Sequence, residues 1–283
     1  MSDSDSDQAG VPLIENLSPS PEPQKKRKRN AEDEAEEPAK TAKKPKKKRP
    51  KKPKDIDDEA LDSKLGVNHA IGHMDSQLLA DHIAQRTRRF QPDLTEVEAE
   101  DARISEKHIR DTTEWTAPRT TDSLPEFLEK FAAPRRKKRG EKGRTLSDAP
   151  KVNGSPHTLI IAGAGLRAAD LTRVLRVFQT KESMVQKLFA KHIKLKEAIV
   201  EVKGTRMGVG VGTPQRIYDL LEDGALASKT LERIVVDASH IDQKKRGILD
   251  MKETVVPLAQ LLARPDLKER YGSGEGEIEL LFF

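Results

Sequence analysis

Gly212-Thr213-Pro214-Gln215-Arg216-Ile217-Tyr218-Asp219-Leu220-Leu221, with Leu231-Glu232-Arg233-Ile234-Val235-Val236-Asp237-Ala238-Ser239-His240 shortly after it, is the stretch from which the fold can be read. Thr213 suits a helix cap, and Pro214 suits the first helical position, where its missing N–H has no partner to lose. A helix is therefore expected from Pro214 to Leu221. Leu231 to Val236 has the continuous apolar character of a strand buried on both faces. Reading upstream, Gly208 to Val211 and Ala198 to Val202 are strand-like. Glu182 to Lys191 has Met184, Val185, Leu188 and Phe189 at helical spacing. Ala168 to Gln179 is helical, with Leu171, Val174, Leu175 and Phe178 on one face, and His157 to Ala162 is a short apolar strand. Downstream, Val255 to Leu262 reads as another helix. Strands alternating with helices predict an α/β domain over 157–283, built on a parallel sheet. The last apolar run, Ile278 to Phe283, is expected as an edge strand of that sheet rather than an exposed docking strand.

Gly163-Ala164-Gly165-Leu166-Arg167-Ala168 fits the pattern G-x-G-x-x-G/A between a strand and a helix, which lets a dinucleotide pyrophosphate approach the backbone. The full fingerprint also needs a second strand ending in an acidic residue about 20 positions further on. The window 181–191 reads instead as a helix. Two plainer readings compete with a cofactor site: an anion site at a helix start, helped by Arg167 and Arg173, or a tight turn without a ligand. No G-x-x-x-x-G-K-[ST] loop occurs. Gly208, Gly210 and Gly212 lack the lysine that would follow, so nucleotide phosphates have no evident cradle.

The rest of the chain differs in composition. Apolar residues make up 35% and charged residues 35%, too polar for the whole length to share one core. Residues 1–60 are expected to form a disordered acidic and basic tail. Within it, 21–54 holds 15 Lys/Arg against 6 Asp/Glu. Two basic clusters, Lys25-Lys26-Arg27-Lys28-Arg29 and Lys46-Lys47-Lys48-Arg49, flank an acidic spacer from Glu32 to Glu37, which suggests nuclear import and sequence-independent RNA contact. Residues 61–134 are expected to form a partly ordered helical extension packed on the domain or on a partner. Its helices are expected over 75–90 (capped by Asp75 or Ser76), over part of 93–110 with Asp93 as cap, and over 123–131 behind Ser123 and Pro125. Trp115 serves there as a packing anchor. Residues 135–156 are expected to form a basic linker. Cysteine is absent, which excludes disulfides and thiolate zinc sites. One histidine near one carboxylate is too little for a metal site, so no metal and no other cofactor is expected. The start, MSDSDSDQAG, lacks the features of a secretory signal, and no membrane-length apolar run occurs, so no membrane partner is expected.

Thr213-Pro214-Gln215-Arg216 and Asp237-Ala238-Ser239-His240 resemble two elements of the first RecA-like domain of DEAD-box RNA helicases: T-P-G-R, which contacts the RNA backbone, and D-E-A-D at a strand end. Gly163 to Arg167 falls where that family has its P-T-R-E-L-A element. The resemblance implies a RecA-like domain. It departs from the family at Ala238, which replaces the residue that activates the attacking water and which has no group to take a proton. The S-A-T motif is missing too, and no second RecA-like domain follows. Asp237 is then expected as a strand-end cap or hydrogen-bond acceptor and not as a magnesium ligand, with His240 a loop residue. A closer resemblance is to the Cms family (Cms-one), carried by Gly163-Ala164-Gly165-Leu166-Arg167-Ala168-Ala169-Asp170-Leu171, by Val209-Gly210-Val211-Gly212-Thr213-Pro214-Gln215-Arg216 and by Val235-Val236-Asp237-Ala238-Ser239-His240. It implies a nucleolar factor of the small-subunit processome, bound to pre-ribosomal RNA and processome proteins, without ATP and without catalysis. Gly163, Gly165, Arg167, Arg173, Thr213, Pro214 and Arg216 are the candidate RNA contacts, because two helix N-termini with free N–H groups would meet at the C-terminal sheet edge. The competing readings are a nucleotide- or dinucleotide-binding enzyme using the Gly163–Ala168 turn and a purely protein-binding scaffold.

Overall fold

Five parallel strands form the centre of the molecule. The computed structural model describes residues 60–132, 144–189, 193–272 and 276–283. The basic clusters at 25–29, 46–49 and 135–139 lie outside the described residues. In chain order the elements are β1 (Leu61–Asp62), β2 (Val67–Asn68), α1 (His69–His73), α2 (Ser76–Phe90), α3 (Glu96–Ala102), α4 (Leu124–Phe131), β3 (Thr158–Ile161), α5 (Gly165–Leu175), β4 (Met184–Leu188), α6 (Leu195–Gly204), β5 (Met207–Gly212), α7 (Pro214–Glu222), β6 (Arg233–Val236), α8 (Lys252–Leu262), α9 (Pro265–Lys268) and β7 (Glu279–Phe282). The main sheet has the order β4-β5-β3-β6-β7, with every pairing parallel. The predicted α/β class is thus observed, and the C-terminal run is an edge strand.

Alternation along each strand divides the core in two. Leu159 and Ile161 of β3, Ile234 and Val236 of β6, and Leu280 and Phe282 of β7 face one layer, with α2, α7 and α8. Ile160, Val235 and Leu281 face the other, with α4 and α5. Covering both faces explains why these strands read as unbroken apolar runs.

The segment before the sheet reaches both layers. On one side α2, capped by the Asp75 carboxylate on the Leu78 N–H at 2.8 Å, contributes Leu79, Ala80 and Ile83. The chain then runs beside β7, where the Arg110 N–H donates to the Leu280 carbonyl at 2.9 Å and the Arg110 guanidinium pairs with Glu279 at 2.9 Å. On the other side α4 contributes Leu124, Phe127, Leu128 and Phe131. Trp115 packs edge-on against Phe127, ring centroids 5.6 Å apart, as expected of an anchor. The cap of α3 is Thr95, in a capping box with Glu98, and not Asp93.

Two elements are exchanged relative to the sequence reading. Residues 182–191 contain strand β4, whose Val185 and Leu188 are buried, and not a helix. Residues 198–202 lie in helix α6 and not in a strand. In α6 the buried pair is Ala198 and Val202, one turn apart, while Val200 is 72% exposed, so β-branched composition misleads there. The Glu197 carboxylate accepts the Lys194 N–H at 3.3 Å and steadies the helix start.

The glycines of β5 answer to packing. A Cβ on Gly212 would lie 2.1 Å from the Leu188 carbonyl oxygen, and one on Gly208 would lie 2.4 Å from the Asp148 carbonyl oxygen. At the opposite, N-terminal edge of the sheet, buried His157 donates from Nε2 to the Asp148 carbonyl at 2.9 Å and accepts at Nδ1 from Thr158 Oγ1 at 2.8 Å. Burial, followed by the nearby positive charge of Arg233, lowers the His157 pKa to about 4.

Two predictions concern stability. Gly212→Ala should destabilise by about 1–3 kcal/mol or more in urea unfolding, whereas Gly204→Ala, with open space around it, should be neutral or gain about 0.4–1 kcal/mol. The unfolded chain protonates His157 near its ordinary value of 6.5, so His157 contributes stability fully above that pH and loses it as pH falls toward 4. Unfolding free energy should drop with a slope approaching about 1.4 kcal/mol per pH unit in that window, and His157→Gln should flatten it.

Candidate functional site

Strands β5, β3 and β6 end level with one another, because Gly212, Ile161 and Val236 are register partners. The turns after them, 213–214, 162–165 and 237–240, therefore lie along one C-terminal edge. With strands about 4.8 Å apart, Thr213 and Asp237 stand roughly 10 Å from each other across that edge. The sequence-predicted residues except Arg173 are thus brought to one sheet edge, but their side chains have different surroundings.

Arg167, in the first turn of α5, faces inward. Its Nε donates to Asp237 Oδ2 at 2.8 Å and its Nη2 to Oδ1 at 3.0 Å, and its Nη1 donates to Thr121 Oγ1. The side chains are 8% and 2% exposed, so this is a buried, bidentate ion pair with a third hydrogen bond. The guanidinium expected on a phosphate is held by a carboxylate. Asp237 accepts both of these hydrogen bonds from Arg167. Ala238 beside it is buried, and its N–H and that of Ser239 both donate to the Phe283 carbonyl at 2.8 Å. His240 is partly buried, and burial, reinforced by the Arg167 charge, lowers its pKa.

Arg216, in the first turn of α7, is the exception. It is 9% exposed, and its Nη2 donates to the Ile193 carbonyl at 3.1 Å. Its Nη1 is buried with no hydrogen-bond partner among the described residues. The helix starts at Pro214, its cap Thr213 makes no side-chain cap bond, and its first turn contains no acidic residue. A cationic group with an unfilled donor beside an uncapped helix N-terminus is suited to an anion. Thr213 itself donates its N–H to the Leu188 carbonyl at 3.3 Å, which fixes the helix start against β4.

The glycine turn has a different character. A Cβ on Gly163 would meet the Ile248 side chain at 3.3 Å, and one on Gly165 would make ordinary contact with Phe189 at 3.6 Å. Protein side chains, and not an open cradle, occupy the space next to these glycines. The strand a dinucleotide site requires does exist as β4, but it ends at Leu188 with no acid, and β5 separates it from β3. Arg173 is exposed and pairs with Asp170 at 3.0 Å, about 9 Å along α5 from Arg167 at the usual helical rise.

Three participants were not visible in the sequence. Thr121, 46 residues before Arg167, completes its coordination. Ile248 closes the glycine turn. Arg119, 3% exposed, donates to the carbonyls of Phe282 at 2.6 Å, Gly72 at 3.3 Å and Thr112 at 3.1 Å, and lies over the Phe127 ring. Burial lowers its pKa to about 10, so it remains charged at neutral pH. Among the described residues there is no group of three or more His, Cys, Asp or Glu placed to hold a metal, and no helix long and apolar enough to cross a membrane.

These features define an α/β protein whose strand-end aspartate is locked in an ion pair and whose sheet edge presents a buried, incompletely satisfied arginine at a helix start. A family model described as "CMS1: U3-containing 90S pre-ribosomal complex subunit" matches residues 22–283, and the chain belongs to that family. It is 57% identical over 227 residues to Protein CMS1 of Chaetomium thermophilum, covering 80% of this chain and 87% of that protein. It is 29% identical over 200 residues to Protein cms1 of Schizosaccharomyces pombe, covering 71% and 68%. The resemblance to the Cms family is therefore borne out, and with it a place in ribosome biogenesis. Among solved structures, the yeast DEAD-box splicing factor Prp28 is similar at a TM-score of 0.37 and 18% identity, over 49% of this chain and 30% of that one. A likeness that slight carries no weight, and the α/β class rests on the strand order itself.

Arg119→Met should lower unfolding stability by about 2–5 kcal/mol, since it strands buried carbonyls that the guanidinium now satisfies. An unchanged urea midpoint would show that Arg119 does not hold the N-terminal segment to the sheet.

Proposed function

We propose that this protein is a non-catalytic, RNA-associated assembly factor of the early small-subunit pre-ribosome, acting in the nucleolus alongside processome proteins. The family description supports the particle, and the basic clusters at 25–29 and 46–49 support both nuclear import and sequence-independent RNA affinity. The observation that carries the domain's part is the pairing at the sheet edge: Asp237 is held by Arg167, while Arg216, at the N-terminus of α7, has a buried donor with no partner among the described residues. The first leaves the strand-end carboxylate without the freedom to hold a metal–nucleotide, and Ala238 supplies no base. The second offers one backbone phosphate a cation and helix N–H groups. In this reading Thr213, Pro214 and Arg216 form the RNA contact. Gly163, Gly165 and Arg167 shape the edge beside it, and Arg173 adds only surface charge.

The dinucleotide alternative loses support from Ile248 over the glycine turn and from the missing acid after β4. In-cell UV crosslinking should place bound RNA in small-subunit pre-rRNA, with crosslinked peptides spanning 213–216. Crosslinks confined to the tail, with Arg216→Glu leaving particle association intact, would favour a protein-binding scaffold. The purified protein should show no RNA-stimulated ATP hydrolysis, and turnover abolished by Asp237→Asn would overturn the non-catalytic reading.

A further inference from the structure

Past β6 the chain makes a short turn, Asp242-Gln243-Lys244-Lys245-Arg246-Gly247, that belongs to none of the motifs above. One carboxylate organises it. Asp242 accepts the N–H groups of Lys244 at 2.8 Å and Arg246 at 2.9 Å, as well as Arg246 Nε at 3.1 Å and Nη2 at 2.8 Å. The backbone closes the same ring: the Asp242 N–H donates to the Arg246 carbonyl, and the Lys245 N–H to the Asp242 carbonyl, both at 2.9 Å. Asp242's own negative charge and Arg246's positive charge are thus satisfied within the turn. Lys244 and Lys245 remain exposed, and none of the ion pairs among the described residues includes either.

Lys245 is the one non-glycine among the described residues with positive φ, at 58°. A side chain in that conformation is strained, and glycine would relieve it. The turn holds a lysine there instead, in a rigid frame, where strain of this kind points to a functional demand on the side chain.

The turn is pinned at both ends to the edge already described. On one side the Ile241 N–H donates to the Gly66 carbonyl at 2.9 Å, in the β1–β2 hairpin that also exposes Lys64. On the other, Ile248 seats on Gly163 in the turn before α5, and the Gly247 N–H donates to Asp250 at 2.8 Å. Lys244 and Lys245 therefore extend the edge beyond β6, on the far side of the glycine turn from Arg216.

We infer that Lys244 and Lys245 form a second phosphate-contacting point on this edge, gripping the backbone of an RNA strand that also passes the start of α7. The inference rests on the RNA reading above. Two ammonium groups on consecutive residues, with Cα atoms about 3.8 Å apart, are point charges with freely turning donors, which suits successive phosphates along a backbone. Arginine, the residue whose fork matches a carboxylate of an acidic protein, already has its fork taken by Asp242 within this turn. Contacts of this kind position RNA without reading its sequence.

The test uses the full-length chain, with fluorescence anisotropy on a labelled single-stranded RNA across a salt series. Both lysines are exposed, so Lys244→Gln/Lys245→Gln leaves the core untouched. That double variant should bind more weakly, with the dependence of log K on log salt shallower by about 1.4, the loss of two phosphates on a single strand. Asp242→Ala should also weaken binding although it removes a negative charge, because it releases the turn. Tighter binding by that variant would overturn the presented geometry. Unchanged affinity and slope in the double variant, with a wild type that binds RNA, would overturn the loop's role and leave the RNA reading standing. No RNA binding by the wild type would overturn both. Polyglutamate competing as well as RNA, with both effects lost in the double variant, would reassign the loop to acidic protein segments.

Discussion

The buried pair of Arg167 and Asp237 is the constraint around which the sheet edge is organised. A guanidinium and a carboxylate taken out of water remain stable only when their donors and acceptors are matched, and here both carboxylate oxygens and three guanidinium nitrogens are engaged. The pair joins the end of β6 to the start of α5, and Thr121 joins both to the segment leading into α4. It also sets what the edge can do chemically. A carboxylate locked to arginine is a poor ligand for an incoming cation, so the strand end that Asp237 occupies becomes a brace.

Around that brace the edge separates into parts that shape it and, in the function proposed, parts that contact RNA. The glycine turn is closed by Ile248, Gly210 and Gly212 of β5 are packed by Leu188 and Gly208 by Asp148, so the glycines that look like a phosphate loop are set by packing. Donors facing outward, or lacking partners, gather on either side of the turn: Arg216 at the start of α7, and the lysines of the 242–247 turn. This arrangement fits recognition of a long, repeated anion better than that of a compact nucleotide, which would need donors converging on one cavity.

Much of the fold was legible in the sequence because its signals were strong and local. Thr213-Pro214 marked a helix start, the 231–236 run marked a strand buried on both faces, and Asp75-Ser76 marked a cap, which falls on Asp75. The exchange of β4 and α6 shows the limit. Residues 182–191 and 198–202 are short apolar stretches whose periodicity fits either state, and the pairing of Val185 with Val209 that decides the first comes from distant sequence. The candidate site was legible as a place but not as a set of contacts. Arg167 and Arg216 occupy equivalent positions at two helix starts, and only the fold shows that one is matched by Asp237 and Thr121 while the other is not. The 242–247 turn carries little signal in the sequence because its basic residues number only three, and the frame that presents two of them depends on one aspartate.

The most direct test of this account is a double-mutant cycle on folding stability with Arg167→Met, Asp237→Asn and the two combined. Each single change should cost about 3–5 kcal/mol by leaving a buried group unmatched, and the double should cost clearly less than the sum of the two. Additive effects, or a stable Asp237→Asn variant, would contradict the account: Asp237 would then be free of a structural role and available for the chemistry of a nucleotide site.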